Sequence, residues 1–294
     1  MNIVVTGSQS FIGQRFVAFA RLAGHAVVGI DATAGAFTDV QIDIRDEALP
    51  SAIPLKADAV VHLAAISRDG DCRNNPRLAF DVNVNGTLNV ARACHERNVR
   101  QLIFASTEWV YGNSASVAQR EDDPIDVTRV AGEYALTKIT AERALMLACP
   151  RDIEHLTILR FGIVYGPRPS NWSAVESLFA KTASDDAIAV GDLATARRFV
   201  HVDDIAAGIL AAVGRTGCEV FNLSGDDLIT LEQIIATGSK IHGTAPAVSE
   251  SQPGSASIRN PDNAKAAAVL GWRPAINLEA GLRSLGFIEP ALAN

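Results

Sequence analysis

Basic residues are in the minority in this 294-residue chain: 26 lysines and arginines stand against 33 aspartates and glutamates, a formal charge of -7 and a pI near 5.4. Nucleic acids and anionic membranes attract a basic field, so this balance argues against both and leaves a small molecule in a local pocket as the expected partner. Cysteine is scarce as well. Cys72, Cys94, Cys149 and Cys218 lie far apart with no CxxC pair, so no disulfide framework or thiolate metal site is legible. No histidine is followed by a second histidine or cysteine at i+3 or i+4, and no metal is expected. No apolar run approaches the roughly 18 residues of a membrane span, and no basic leader precedes the first apolar run. A reducing cytoplasm is the expected compartment.

What is present is apolar residue in quantity, 48% of the chain, enough for a full core. Its arrangement is rhythmic. Short β-branched runs (Ile3 to Val5, Ala26 to Ile30, Ala59 to Val61, Leu102 to Phe104, Leu156 to Leu159) alternate with helical patterns from about Ile12 to Leu22, through the 80s and 90s, and around Tyr134 to Ala148. Continuous apolar strands separated by crossovers of this length predict a parallel sheet buried on both faces, a doubly wound α/β (Rossmann) fold. Beyond residue 165 the rhythm breaks at Pro167, Pro169, Pro246 and Pro253, and residues 243 to 257 carry no obvious strand or helix. Residues 1–165 are therefore expected to form a dinucleotide-binding domain. Residues 166–294 are expected to form a smaller C-terminal substrate-binding region without an independent core, with about 192–222 returning to the main sheet.

The stretch "TGSQSFIG" follows the first apolar run and opens a helix, the context in which a glycine-rich turn binds a pyrophosphate. Gly7 and Gly13 are in place, but Ser10 stands where a third glycine is expected. Serine is small and its hydroxyl can donate to phosphate, so the exchange is harmless unless φ there is positive. Asp31 ends the second strand, 18 residues past Gly13, where a carboxylate can accept from the adenosine ribose hydroxyls. It would repel a 2′-phosphate, and Ala32 and Thr33 bring no arginine, so NAD is favoured over NADP. Asp43 in "QIDIRD" fits either an adenine edge or a solvated turn.

Further motifs follow in order: "VVHLAA" at 60–65, "NVNGT" at 83–87, "STEWVYG" at 106–112, Tyr134 and Lys138 in "YALTK", "RFGIVYGPR" at 160–168, "RFVHVDD" at 198–204 and "LGWRP" at 270–274. Together they resemble the extended short-chain dehydrogenase/reductases, in particular the NAD-dependent nucleotide-sugar epimerase/dehydratase group, over nearly the whole chain. The resemblance implies a cofactor site of Gly7, Ser10, Phe11, Ile12, Gly13, Asp31, Asp43, Ile44, Leu63, Ala64, Ala65, Asn83 and Lys138. It implies catalysis by Tyr134, Lys138 and Thr107. Tyr134 and Lys138 share one helix face, so that the lysine, helped by the oxidised ring, would lower the tyrosine pKa for proton removal as hydride leaves the same carbon. Thr107 would hydrogen-bond the reacting oxygen. His62 and His201 are expected to be structural, Asp203 and Asp204 to order the return of the chain onto the sheet, and Trp172 either to line the pocket or to pack. By analogy alone, helices near 75–98 and 130–148 would pair in a homodimer.

Departures from the family pattern narrow the reaction. Sugar 4,6-dehydratases follow the threonine with an aspartate acid and a glutamate base, whereas this chain has Glu108 and Trp109; an indole cannot remove a proton, so elimination of water is disfavoured. Glu108 is then either a substrate contact or a surface carboxylate. Ile163 stands where many relatives place an asparagine near the substrate diphosphate. Arg197 matches a diphosphate-gripping arginine, and Arg259 and Arg68 are further candidates for the substrate. The expectation is a UDP- or dTDP-hexose 4-epimerase. A keto-sugar reductase or a polyol or sugar-acid dehydrogenase is the alternative, and a non-catalytic NAD-binding protein is a more distant one.

Overall fold

Ile3 and Val5 face one side of a strand and Val4 the other, and all three are buried, because helices cover both sides. The same alternation recurs along each central strand, with Val61, Ile103, Ala105 and Leu159 on the first side and Val60, Leu102, Phe104 and Ile158 on the second. The computed structural model describes residues 1–113, 117–130, 132–169 and 173–286. Its main sheet has seven strands: β1 (Asn2–Thr6), β2 (Ala26–Asp31), β3 (Val40–Gln41), β4 (Ala59–His62), β5 (Gln101–Thr107), β6 (His155–Phe161) and β7 (Cys218–Leu223). They are all parallel and lie in the order β7-β6-β5-β4-β1-β2-β3. The order reverses at β1 and β4, so a crevice opens beyond their C-terminal ends.

Helix α1 (Phe11–Leu22) covers the first side, and α2 (Thr87–Glu96) and α3 (Glu133–Ala148) the second. Three later helices, α4 (Ala174–Lys181), α5 (Val202–Ala212) and α6 (Leu231–His242), are followed by α7 (Leu278–Leu285). Helix α5 joins α1 on the first side and delivers the chain to β7 at the sheet edge, so the return is made by Val202–Leu223. Asp204 secures it: its carboxylate accepts from Ala275 N and Ile276 N, each at 3.0 Å, and its carbonyl accepts from Trp272 Nε1. Asp203 pairs instead with Arg15 on α1.

Two expectations for the C-terminal part need correction. It does have its own core, in which Tyr165, Val175, Leu178, Phe179, Ile234, Ile235 and Leu282 pack together. These residues come from helices whose apolar faces meet only in three dimensions, which a linear pattern broken by prolines conceals. Residues 243–257 also contain a strand, Val248–Glu250, paired in parallel with Ile188–Val190. All three of its residues are exposed, so hydrophobic alternation could not reveal it. Trp172 lies outside the described residues. Among those described, no helix is long and apolar enough to cross a membrane, and no group of three metal-ligating side chains occurs.

One buried ion pair crosses the layers. Arg160 on β6 donates to Glu142 on α3 through Nε at 3.1 Å and Nη2 at 2.8 Å, and both side chains are almost wholly enclosed. Ser106 on β5 also donates to Glu142, while Arg160 donates to the Tyr111 hydroxyl, which in turn donates to Asn222 on β7. Removing one member of such a pair strands the other charge, at a cost of about 3–5 kcal/mol, whereas replacing both with apolar residues is often close to neutral. Glu142→Ala is therefore expected to lower unfolding stability by that amount and Glu142→Leu/Arg160→Met by clearly less; urea unfolding of the single and double variants decides it, and additive losses would contradict this account.

Candidate functional site

The turn after β1 explains why one glycine can be exchanged and the others cannot. Gly7 has φ +76°, and a Cβ built there would lie 2.5 Å from Ala64 N and 2.7 Å from Ala64 Cα. At Gly13 a Cβ would run into the carbonyl of Gly7, so helix α1 sits directly on the turn. Ser10 has φ -67° and is the N-cap of α1, its Oγ accepting from Gly13 N at 3.0 Å. An extended φ needs no glycine, and the hydroxyl closes one open donor of the helix. Ser10, Phe11 and Ile12 of that first turn line the crevice, and the N-terminus of a helix favours an anion.

At the end of β2 the Asp31 carboxylate accepts from Gln9 N and from Thr33 N, both at 2.9 Å, which fixes it at the rim of the turn. Gly7, Gln9, Ser10, Asp31, Asp43, Ile44, Ala64 and Ala65 line a cleft of about 450 Å³. Asp43 is held by Arg45, which also pairs with Asp81, and the Arg45 hydrogen bonds keep its carboxyl below the usual range. Asn83 is buried and bonded at both ends: its Oδ1 accepts from Ile66 N, and its Nδ2 donates to Ile66 O and to Thr137 on α3. It therefore braces the loop after β4 and does not line the cleft.

The cleft runs on into a cavity of about 610 Å³ that shares Gln9, Ser10 and Ala65 with it and continues past Phe11, Ile12 and Leu63 to Tyr134 and Lys138. Lys138 is buried, donates to Ala105 O at 2.8 Å, and its ammonium lies 4.7 Å from the Phe104 ring. Burial lowers its pKa to about 8, although Glu142 one turn on opposes the shift. The Tyr134 hydroxyl is pushed above its usual range, first by burial and then by Cys72. In the chain alone burial therefore favours the neutral form of both groups, and the expected lowering of the tyrosine pKa includes the charge of the oxidised ring. Thr107 ends β5 and accepts from Trp109 N at 3.3 Å, a bond that leaves its hydroxyl proton available.

The cavity also takes in Ser106, Phe161, Val164, Pro167, Arg168 and Pro169, to which no role was assigned from sequence. Arg168 packs its guanidinium 4.2 Å from the Phe11 ring and is held by Glu176 on α4 at 2.7 Å. The motif "RFGIVYGPR" contained the signal for both arginines at its ends. His62 is enclosed: the Thr87 hydroxyl gives its proton to Asn83 O, so His62 Nε2 donates to Thr87, and Nδ1 accepts from Thr6. Burial depresses its pKa to about 3, and it remains neutral. His201 caps α5, its Nδ1 accepting from Asp203 N, and bonds Ser284 through its other nitrogen.

Three of the four substrate candidates meet. Glu108, next after Thr107, has no exposed surface, and its Oε1 lies 3.7 Å from Arg197 Nε. Arg259 stacks 4.2 Å from the Trp109 ring beside it. Glu108 is therefore not a surface carboxylate; burial raises its pKa to about 7 against the pull of Arg259 and Arg197. Arg68 is exposed at the start of the Asp69–Asn74 helix. Ile163 packs against the C-terminal core, as its apolar side chain requires.

The turn predicts opposite outcomes for its small residues. Gly7→Ala forces a side chain into Ala64 at positive φ and is expected to lower the melting temperature and abolish the stabilisation that NAD gives the cofactor-stripped protein. Ser10→Gly should cost only a few tenths of a kcal/mol and keep that stabilisation; thermal melts with and without NAD compare the two.

Residues 3–224 match the model of the NAD dependent epimerase/dehydratase family. The chain is 29% identical to the UDP-glucuronate 4-epimerase of Thermodesulfobacterium geofontis, over 95% of this chain and 93% of that protein. It is likewise 29% identical to the UDP-glucose 4-epimerase of Mycolicibacterium smegmatis, over 96% of each. Among solved structures, the UDP-glucuronic acid 4-epimerase of Bacillus cereus in complex with UDP-glucuronic acid and NAD superposes with a TM-score of 0.82 at 28% identity, covering 97% of both chains. The Thermus thermophilus UDP-glucose 4-epimerase complex with NAD gives 0.81 at 26%, again over 97% of both. A glycine turn against β4, an acidic residue ending β2 and a Tyr134/Lys138 pair at the far end of one continuous cleft thus accompany a family match over most of the chain, and the protein belongs to the NAD dependent epimerase/dehydratase family.

Proposed function

We propose that this protein is an NAD-dependent nucleotide-sugar 4-epimerase acting on a UDP- or dTDP-hexose. The observation that carries the reading is the continuity of the cleft, with Asp31 at one end and Tyr134 and Lys138 at the other. The chain fits the cofactor: the crowding of Gly7 against Ala64 brings bare backbone to the phosphate position, Asp31 suits two ribose hydroxyls, and no arginine stands at Ala32 or Thr33 for a 2′-phosphate. Gly7, Ser10, Phe11, Ile12 and Asp31 would hold it, with Asp43, Ile44 and Leu63 to Ala65 along the adenine side and the cleft wall. Bound there, NAD supplies a hydride acceptor that returns the hydride, and its oxidised ring brings a positive charge.

The side chains act on the proton. Tyr134 Oη removes the hydroxyl proton of the reacting carbon and later returns it, while the Lys138 ammonium stabilises the phenolate. Thr107 donates to the reacting oxygen and orients it. Arg197 and Arg259 hold the anionic part of the substrate, and Trp109, at the position of a dehydratase base, has no basic atom with which to start elimination. In this reading the cofactor lies on residues 1–165 and the substrate mainly on 166–294. The exposed Leu88 on α2 and Leu136 and Leu147 on α3 support pairing of two copies through these helices, and the free cysteines suit a reducing cytoplasm.

The test is to purify the protein without added cofactor, release any bound nucleotide by denaturation, and follow interconversion of UDP-glucose and UDP-galactose or the glucuronate pair. Stoichiometric NAD and interconversion are expected; an empty protein that consumes added NAD stoichiometrically with product would instead make it a net dehydrogenase or reductase. Tyr134→Phe should lose about 10²–10⁴ in kcat with NAD content unchanged. Lys138 titrates near 8, so its charge is present below that pH and lost above it; kcat/KM is expected to fall above about pH 8.

A further inference from the structure

Glu108, Arg197 and Arg259 form a buried cluster around groups that the protein itself does not satisfy. Both Glu108 carboxylate oxygens are buried without a hydrogen-bond partner, and so is Arg259 Nε. Arg197 uses Nη1 on Ala196 O and Ser257 O and Nη2 on Ser257 Oγ, which turns only its Nε toward Glu108, at 3.7 Å. That separation is too long for a hydrogen bond, so the carboxylate faces the guanidinium without closing on it. A buried carboxylate left in this condition is costly, and so is a buried guanidinium donor.

Two charges face Glu108, Arg197 beside Ile229–Thr230 and Arg259 in the segment after Ser257, and Asp69 of the Asp69–Asn74 helix acts on Arg259 in turn. An oxyanion entering between the two arginines would meet Glu108 as a like charge at close range with no water to screen it. A neutral carboxyl, by contrast, is a donor that can bond such an oxyanion.

We propose that Glu108 couples substrate binding to proton uptake: the anionic group of the substrate is held by Arg197 and Arg259 while Glu108 takes a proton and donates it in a hydrogen bond to that group or to the neighbouring sugar. This rests on the nucleotide-sugar reading above and names a residue that sets which charge state the site accepts. The ordinary titration of the unliganded carboxyl, raised to about 7 by burial, puts the coupling within reach of neutral pH. Below that value the proton is already present; above it each binding event must take one from solution. Affinity for a diphosphate ester should then weaken by about tenfold per pH unit on the alkaline side.

UDP-glucose is the probe, because its diphosphate is diesterified and does not titrate in this range. Calorimetric titration of the NAD-loaded protein in two buffers of different ionisation enthalpy counts protons directly. Near pH 8 the wild type is expected to take up close to one proton per UDP-glucose. Glu108→Gln should take up almost none and bind with an affinity that no longer falls with pH. Binding without proton uptake by the wild type, or uptake that persists in Glu108→Gln, overturns the role of Glu108 while leaving the nucleotide-sugar site standing. Failure of both proteins to bind UDP-glucose, UDP-glucuronate or dTDP-glucose at any pH from 6 to 9 overturns both readings. The wild-type proton count needs no variant, so the proposal can fail even if the substitution impairs folding.

Discussion

The buried Glu142–Arg160 pair is the contact on which the geometry of the cavity most depends. Glu142 sits one helical turn beyond Lys138 on α3, and Arg160 lies on β6, with Ser106 of β5 bonded to the same carboxylate. Helix α3 is therefore held against two neighbouring strands by charge-assisted bonds whose directions are fixed, not by apolar contact alone, which would tolerate sliding. Since Thr107 follows Ser106 and Lys138 bonds Ala105 O, the same pair aligns all three groups expected to handle the proton. Its extension through Tyr111 to Asn222 ties the sheet edge into the arrangement.

Two buried electrostatic environments lie at the C-terminal end of β5. At the Tyr134/Lys138 end, burial holds the tyrosine protonated and weakens the hold of the lysine on its proton, so the chain alone keeps the pair uncharged more readily than an exposed pair would be. A positive charge beside the tyrosine would oppose that preference. At the Glu108 end, one carboxylate and two arginines are enclosed with donors and acceptors unfilled. At both ends burial disfavours charge that the protein does not fully compensate.

Much of the cofactor half was legible because its physics is local. A glycine at positive φ, a helix N-cap, a carboxylate at a strand end and a four-residue spacing on one helix face each occupy a few consecutive residues. The question raised by Ser10 was answered by one torsion angle, which no residue identity reveals. The substrate half was less legible. Glu108, Arg197 and Arg259 meet only because the segment after Ser257 folds over the loop following β5, and from sequence the carboxylate was equally well a surface residue. The C-terminal core was missed for the same reason: its apolar residues come from α4, α6 and α7, spread over more than a hundred positions.

By itself, the sequence determined the parallel sheet, the placement of the dinucleotide turn and the pairing of Tyr134 with Lys138, since alternation and helical spacing act over short chain distances. Tertiary structure alone decided which ionisable groups are buried, and so the direction in which their pKa values move. It also decided that Asn83 is buried behind the cleft wall at Ile66 and that Arg259 lies near Glu108 while Arg68 is exposed. These outcomes depend on desolvation and on contacts between residues distant in the chain, and neither quantity is written in the order of the amino acids.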